Sequence, residues 1–314
     1  MRKGLIEIVR YNAGLKECWD RFVGTSKNGT FLFNRDYMDY HADRFPDYSF
    51  IFFRKSKPYC ILPGCWSGEI FSSHSGLTYG GFIMGKDCTT KGMMEVLELL
   101  IAELKSQGFK RLVYKPVPYI YDLLPSQEDL YCLFRHGAVL KARLVASVLE
   151  PGVSLSYKKD RRSAIRKSEK AGIRVTQDDD YARFWPILDE NLKKRYNVKP
   201  VHSLNEMEYL HSKFPRNIKL FTAFQEEELL AGTVVYLTDR VLHTQYIAST
   251  HRGKKTGAVD SIINHLIQNE QGERFLDFGT SCENEGRDLN ESLIYYKEGF
   301  GGRGVCYDTY ELKL

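Results

Sequence analysis

Two spacings of apolar residues alternate along this chain. The segments LIEIVRY, SFIFF, PYCIL and EIFSS are short runs rich in β-branched and aromatic residues, bounded by polar or glycine-bearing turns, and predict strands. Two helical stretches are expected around 14–23 and 35–45. After the glycine-rich turn SHSGLTYGG (73–81), the residues Met93, Met94, Val96, Leu97, Leu100, Ile101 and Leu104 recur three and four positions apart and predict a helix over about 90–106. A strand KRLVYK (110–115), a helix near 126–136 and a strand through LVASVLE follow, and Pro151-Gly152 then breaks the chain.

The second half opens with a basic helix and a strand GIRVT. Helices follow at about 179–195 and 203–213, the latter introduced by Ser203 and Glu206 in capping-box spacing. Three strands run in succession, NIKLFTAF (217–224), ELLAGTVVYLT (228–238) and VLHTQYIAS (241–249). A glycine-bearing turn HRGKKTGA leads to a helix over 258–269, a strand ERFLDFG, a helix over 289–298 and a final strand VCYDTYEL.

The closing portions of the halves share one order of elements, and residues agree as well. GFKRLVYK (108–115) answers GERFLDFG (272–279), and FRHGA (134–138) answers YKEGF (296–300), in nearly constant register. A chance alternation of helices and strands would not keep register across both blocks, so the chain reads as a duplication of one α/β unit, with domains over 1–150 and 151–314. With 314 residues, 43% of them hydrophobic, the chain has material for two cores, and no run of apolar residues reaches the length of a membrane-spanning helix.

The net charge of +5 is modest, yet KKDRRSAIRKSEK (158–170) alone carries seven cations against Asp160 and Glu169. On a helical wheel Lys159, Arg162, Arg166 and Lys170 form one stripe, with Ala164, Ser168 and Ala171 opposite. Such a face suits either an anion site or a nucleic-acid surface. Seven scattered cysteines without a CxxC point to reduced thiols in the cytoplasm, and Cys60 and Cys65 before His74 lack the second pair a zinc site needs, so no metal is expected.

The segment HTQYIASTHRGKKTGAVDSIINHLI resembles the acyl-CoA-binding segment of the GNAT acyltransferases, and LNESLIYYKEGFGG resembles the segment where that family writes an Asn, a Tyr and a terminal Gly-Phe. Paired GNAT-like domains in turn resemble the Fem family, which joins amino acids to peptidoglycan precursors. The resemblance covers about 155–312 directly and 30–150 through the duplication. It implies a tandem duplicated GNAT-like fold of the α/β class and an N-acyltransferase that moves an acyl group from acetyl-CoA or another acyl-CoA to an amine. The acceptor would be a small molecule or cell-wall precursor with an anionic group. Aminoacyl-tRNA is the rival donor, and no long heptad hairpin of the kind some Fem members carry is visible. A nucleic-acid-binding module that uses the basic helix is the alternative from another class.

For the site, the resemblance implies that Arg252, Gly253, Lys254, Lys255, Gly257 and Ala258 hold the pantetheine and pyrophosphate, with Lys255 where the family has its middle glycine. Tyr295, five residues before Phe300, corresponds to a tyrosine that protonates the leaving thiolate; the alternative is that Tyr295 or Tyr296 packs in a core. Lys297 corresponds to a Fem-like lysine that stabilises charge on the acyl carbonyl. Strict alternation on VLHTQYIAS puts His243, Gln245 and Ile247 on one face and Thr244, Tyr246 and Ala248 on the other, so either His243 or Tyr246 faces substrate. Arg162 and Arg166 are expected to bind an anionic group. In the first half, which has no Arg or Lys over 73–85, His74 and Tyr79 are acceptor-side candidates. Glu283, Glu285 and Asp288 lie where a general base for the amine could stand.

Overall fold

A computed structural model of the chain describes residues 6–153, 155–272 and 274–314, so Leu5 of the first expected strand and Glu273 of ERFLDFG lie outside the described residues. The chain divides into two compact units, one of Met1–Leu144, Cys282–Asp288 and Cys306–Leu314, the other of Val145–Ser281 and Leu289–Val305. The division runs through the strands Val139–Leu149 and Arg303–Lys313.

In the first unit, strands Ile6–Arg10, Phe50–Arg54, Lys57–Leu62 and Ile83–Met84 form an antiparallel sheet. Cys65–Ser67 pairs with Ile70–Ser72, which runs parallel to Arg111–Tyr114. Helix Thr90–Ser106 is capped by Thr89, whose hydroxyl accepts the N–H of Gly92, and buries Met93, Val96, Leu97, Leu100 and Leu104 against Phe50, Phe52, Leu62 and Phe71. The expected helix over 35–45 is reduced to the short turns Arg35–Met38 and Asp39–His41. Arg35 is buried there and pairs with Asp39 and Asp47, and Pro46 turns the residue before it away from helical geometry.

From Val139 onward the chain runs β1 (Val139–Leu149), α1 (Lys159–Lys170), β2 (Arg174–Asp178), α2 (Tyr181–Tyr196), α3 (Leu204–Lys213), β3 (Ile218–Gln225), β4 (Glu228–Leu237), β5 (Val241–Ser249), α4 (His251–Thr256), α5 (Ala258–His265), β6 (Phe275–Thr280), α6 (Glu291–Glu298) and β7 (Arg303–Lys313), with β1 from Val145 and β7 up to Val305 in the second unit. The capping box of α3 forms as its spacing predicts. Strands β2 to β5 are an antiparallel meander, β6 joins β5 in parallel, and the 146–149 end of β1 pairs antiparallel to β6. On one face Ala258, Ile262, Ile263 and Leu266 pack on Phe221, Ala231, Val235, Leu242 and Phe278. The opposite face carries α2, whose Phe184 ring fills the space a side chain at Gly232 would take.

The two halves of the chain repeat one order. Helix 90–106, strand 111–114, helix 128–135 and strand 139–149 recur along the sequence as helix 258–265, strand 275–280, helix 291–298 and strand 303–313. In each, the strand after the long helix runs parallel to a strand that precedes that helix, Ile70–Ser72 with Arg111–Tyr114 and Val241–Ser249 with Phe275–Thr280. This is a tandem duplicated GNAT-like α/β fold.

Candidate active site

The geometry that matters lies where β5 and β6 part. Their parallel pairing lasts three residues, Val241 with Phe275, Leu242 with Leu276 and His243 with Asp277, while β5 continues to Ser249. Beyond His243 the backbone edge of β5 therefore opens toward β6 as a wedge-shaped gap, the feature that a pantetheine-like or extended acyl donor needs for backbone hydrogen bonds.

A bulge reorders the side chains at this point. Val234 of β4 pairs with Tyr246 and Val235 with Thr244, which leaves Gln245 unpaired. The extra residue flips the alternation, so His243 and Tyr246 share the face away from α5, while Leu242 and Ile247 both point to the core that α5 covers. The strict alternation expected from the sequence, which set His243 and Tyr246 on opposite faces, does not hold. Tyr246 is 8% exposed, its hydroxyl lies 2.6 Å from Nδ1 of the buried His202, and its ring meets Trp185 edge-on. Burial pushes its phenol up to about 12.

His243 stays at the gap. Its Nδ1 lies 2.9 Å from Oδ2 of Asp277, a carboxylate with no exposure, whose Oδ1 accepts the N–H of Gly279 at 2.7 Å. Gly279 takes φ +71 at a bulge in the β1–β6 ladder, a conformation that favours glycine. Lys297 reaches the same segment from α6. It is 5% exposed, and its ammonium donates to the carbonyls of Gly279 at 2.7 Å and Thr280 at 2.8 Å. His243 and Lys297 thus converge on residues 277–280.

Tyr295 does not join them. Two residues before Lys297 on the same helix, it points to the other side, 53% exposed, with the Lys158 ammonium 4.0 Å from its ring centroid. It lines an open cleft of about 520 Å³ with Lys158, Lys159, Asp160 and Ser163. The hydroxyl of Tyr296 is buried instead, with the Arg161 guanidinium 4.5 Å from its ring, and burial pushes that phenol well up.

The expected cofactor turn is altered most. Residues 251–256 are not an open turn but a helix, capped by Thr250, whose hydroxyl accepts the Gly253 N–H at 3.0 Å. Lys254 N–H goes to the Thr250 carbonyl and Gly257 N–H to the Gly253 carbonyl, so these amides are already engaged. Both glycines lie close against neighbouring backbone. A Cβ at Gly253 would lie 2.2 Å from the Leu230 carbonyl oxygen, and one at Gly257 (φ +78) 2.5 Å from that of Ala164 in α1. Ala258 is fully buried. In the first turn of α5, where an anion would sit, the Asp260 carboxylate accepts from Arg161 at 2.6 Å; burial outweighs this partner and lifts Asp260 to about 6. Arg252 pairs with Glu228 on the surface, and Lys254 and Lys255 are exposed.

Helix α1 splits its cations. Arg161 turns inward with Ala164, Ile165 and Ser168, whereas Lys159, Arg162, Arg166 and Lys170 are exposed, and none of these four has an ion pair among the described residues. Arg162 donates to the Tyr157 carbonyl. In the first unit, His74 and Tyr79 are each 2% exposed. The His74 ring packs on His41 and Phe45, with burial lowering it to about 3, and the Tyr79 hydroxyl donates to Thr30. Aromatic packing thus draws both side chains of this turn into the core of the first unit. Of the acidic loop candidates Glu285 pairs at 3.9 Å with Lys141, within the first unit. Among the described residues no cluster with metal-binding composition occurs, and no helix is long and apolar enough to cross a membrane.

Asp277, Arg161 and Asp260 were not singled out by the sequence. Asp277 left a signal, an acid in the middle of an apolar strand with a glycine two residues on. Residues 156–297 match the family model of the acetyltransferase (GNAT) domain. FemX is similar in structure over 98% of this chain and 97% of its own, with TM-score 0.69 and 11% identity. L-PGS from Bacillus licheniformis covers 96% and 92% with TM-score 0.61 and 12% identity. A tandem GNAT protein from the clavulanic acid biosynthesis pathway covers 98% of both chains with TM-score 0.54 and 11% identity. No curated protein matches the sequence significantly.

Proposed function

We propose that this GNAT-type acyltransferase, whose duplicated fold is similar to that of FemX, moves an aminoacyl group from the terminal ester of an aminoacyl-tRNA to an amine of a cell-envelope-related acceptor. The observation that carries the choice of donor is the closed turn. A CoA pyrophosphate needs free amides and a glycine cradle at 252–258, and there the Gly253, Lys254 and Gly257 amides are engaged in α4, Gly257 lies on the Ala164 carbonyl, and the Asp260 carboxylate brings a negative charge into the first turn of α5. The gap between β5 and β6 remains for the acyl end, and the exposed stripe of α1 offers cations to the donor's phosphates.

Binding decides between the donors. Calorimetry with CoA and acetyl-CoA is expected to show no heat of binding and no rise in melting temperature, while unfractionated tRNA charged with mixed amino acids binds with an affinity that falls steeply with salt. Tight, stabilising binding of acetyl-CoA overturns the choice of donor in favour of the acyl-CoA, to which the splayed strands are also suited.

A further inference from the structure

We infer that Asp277 holds His243 in the one tautomer that turns its Nε2 lone pair into the gap between β5 and β6, and that this nitrogen takes the proton from the acceptor amine. The inference rests on the acyl-transfer reading above. The Asp277 carboxylate is fully buried and accepts twice, from Gly279 N–H on Oδ1 and from the imidazole on Oδ2. A carboxylate only accepts, so Nδ1 carries the proton and Nε2 the lone pair. Among the described residues no protein group bonds Nε2, and it is not a buried atom, so it opens to solvent. His243 is also the last residue of β5 paired with β6, which sets the ring at the point where the gap begins. The other imidazoles of the unit are placed elsewhere. His202 bonds Tyr246, His211 the Ile218 carbonyl, His265 sits by Asn269, and His251 is on the surface.

In the reaction, an acceptor that arrives as an ammonium gives one proton to Nε2. The freed lone pair forms the C–N bond to the donor's carbonyl carbon, and the C–O ester bond breaks. The leaving oxygen takes the amine's second proton, and the imidazolium returns its proton to solvent. Asp277 does not touch the reacting atoms and is a positioning residue; His243 is the catalytic one.

The geometry supplies its own control. In Asp277→Asn the Gly279 N–H still needs an acceptor, so the amide oxygen stays on that side and the NH2 faces Nδ1. The imidazole must then accept at Nδ1 and carry its proton on Nε2, with the lone pair turned inward. Diethylpyrocarbonate, which attacks only a nitrogen with a free lone pair, reads this without any substrate. Peptide mass spectrometry is expected to show His243 modified in the full chain and slowed at least about tenfold by Asp277→Asn, with the exposed His136 unchanged in rate. Equal rates at His243 in both proteins, with both folded by circular dichroism, overturn the inference.

The second arm uses small amines with the charged tRNA pool. Hydroxylamine is mostly neutral at pH 7 and glycinamide mostly protonated. His243→Ala is expected to slow transfer to glycinamide by about 10²-fold or more in kcat, to slow hydroxylamine far less, and to recover with added imidazole. Equal losses for the two amines, or no rescue, overturn the assignment of the base. If acetyl-CoA supports transfer and charged tRNA does not, the donor reading falls, and the same comparison of amines with acetyl-CoA still decides the role of His243.

Discussion

Replacing Gly257 by alanine tests whether the glycine exists for packing or for a ligand. At φ +78 a non-glycine residue costs about 1–2 kcal/mol in backbone strain, wherever it stands. Here the added Cβ would also lie 2.5 Å from the Ala164 carbonyl oxygen and 3.0 Å from its carbon. That neighbour is helical backbone, which yields only if α1 shifts on α5, and overpacking of this kind costs about 1–3 kcal/mol. The total is about 2–5 kcal/mol. Gly172, at the end of the same helix, is the matched control, with φ +68 and nothing within 4 Å of an added methyl, so it bears the backbone cost alone. Thermal unfolding of both variants is the assay. At about 3 kcal/mol, Gly257→Ala should lower the midpoint by about 6–12 °C, and Gly172→Ala, with the backbone cost of about 1–2 kcal/mol alone, by about 2–8 °C and by less than Gly257→Ala. Equal shifts in the two variants would refute the packing of α1 over the turn and reopen the space to a phosphate ligand.

Three other outcomes follow from the same geometry. Lys297→Met should destabilise the chain by about 2–4 kcal/mol in urea unfolding, because two part-buried carbonyls at the end of β6 lose a charged donor, and should lower kcat as the 277–280 segment loosens. Arg162→Gln with Arg166→Gln should leave the melting temperature within a degree or two, since both are exposed, and should reduce the slope of log affinity for tRNA against log salt by about 1.5. Asp122 in the first unit is raised by burial from 3.8 to about 8, so the folded state binds its proton more firmly than the unfolded chain does. Its contribution is complete below about pH 4 and is lost as pH rises toward 8; stability should fall over this range by up to about 1.4 kcal/mol per pH unit, and Asp122→Asn should flatten that slope in urea midpoints.

How far the sequence carried this reading depends on where each feature's cause lies. Elements with local causes were legible: the spacing of Met93 to Leu104 marks a helix that forms over 90–106, and Ser203 with Glu206 caps its helix, since both partners lie within one turn. The duplicated order was legible because each unit buries the same alternation of faces. Features that a partner strand or helix imposes were not. Nothing within VLHTQYIAS announces that Gln245 is extruded, because the bulge belongs to the ladder with β4, and that one residue brings His243 and Tyr246 to one face. The turn 251–257 reads as an open cradle until α1 is laid on it, and then its glycine is seen to answer the Ala164 carbonyl. Arg161 and Arg162 are neighbours in the basic run yet have opposite fates, one paired with Asp260 in the interior and one at the surface. That difference was partly written in the chain: Ala164, Ile165 and Ser168 form the buried stripe of α1, Arg161 stands on it, and a cation on a buried stripe demands an acid from elsewhere. The acid it finds, Asp260, stands in the first turn of α5, so the pair that satisfies the interior of α1 also brings a negative charge toward the helix end where a phosphate was expected, which favours a donor held by the outer face of α1.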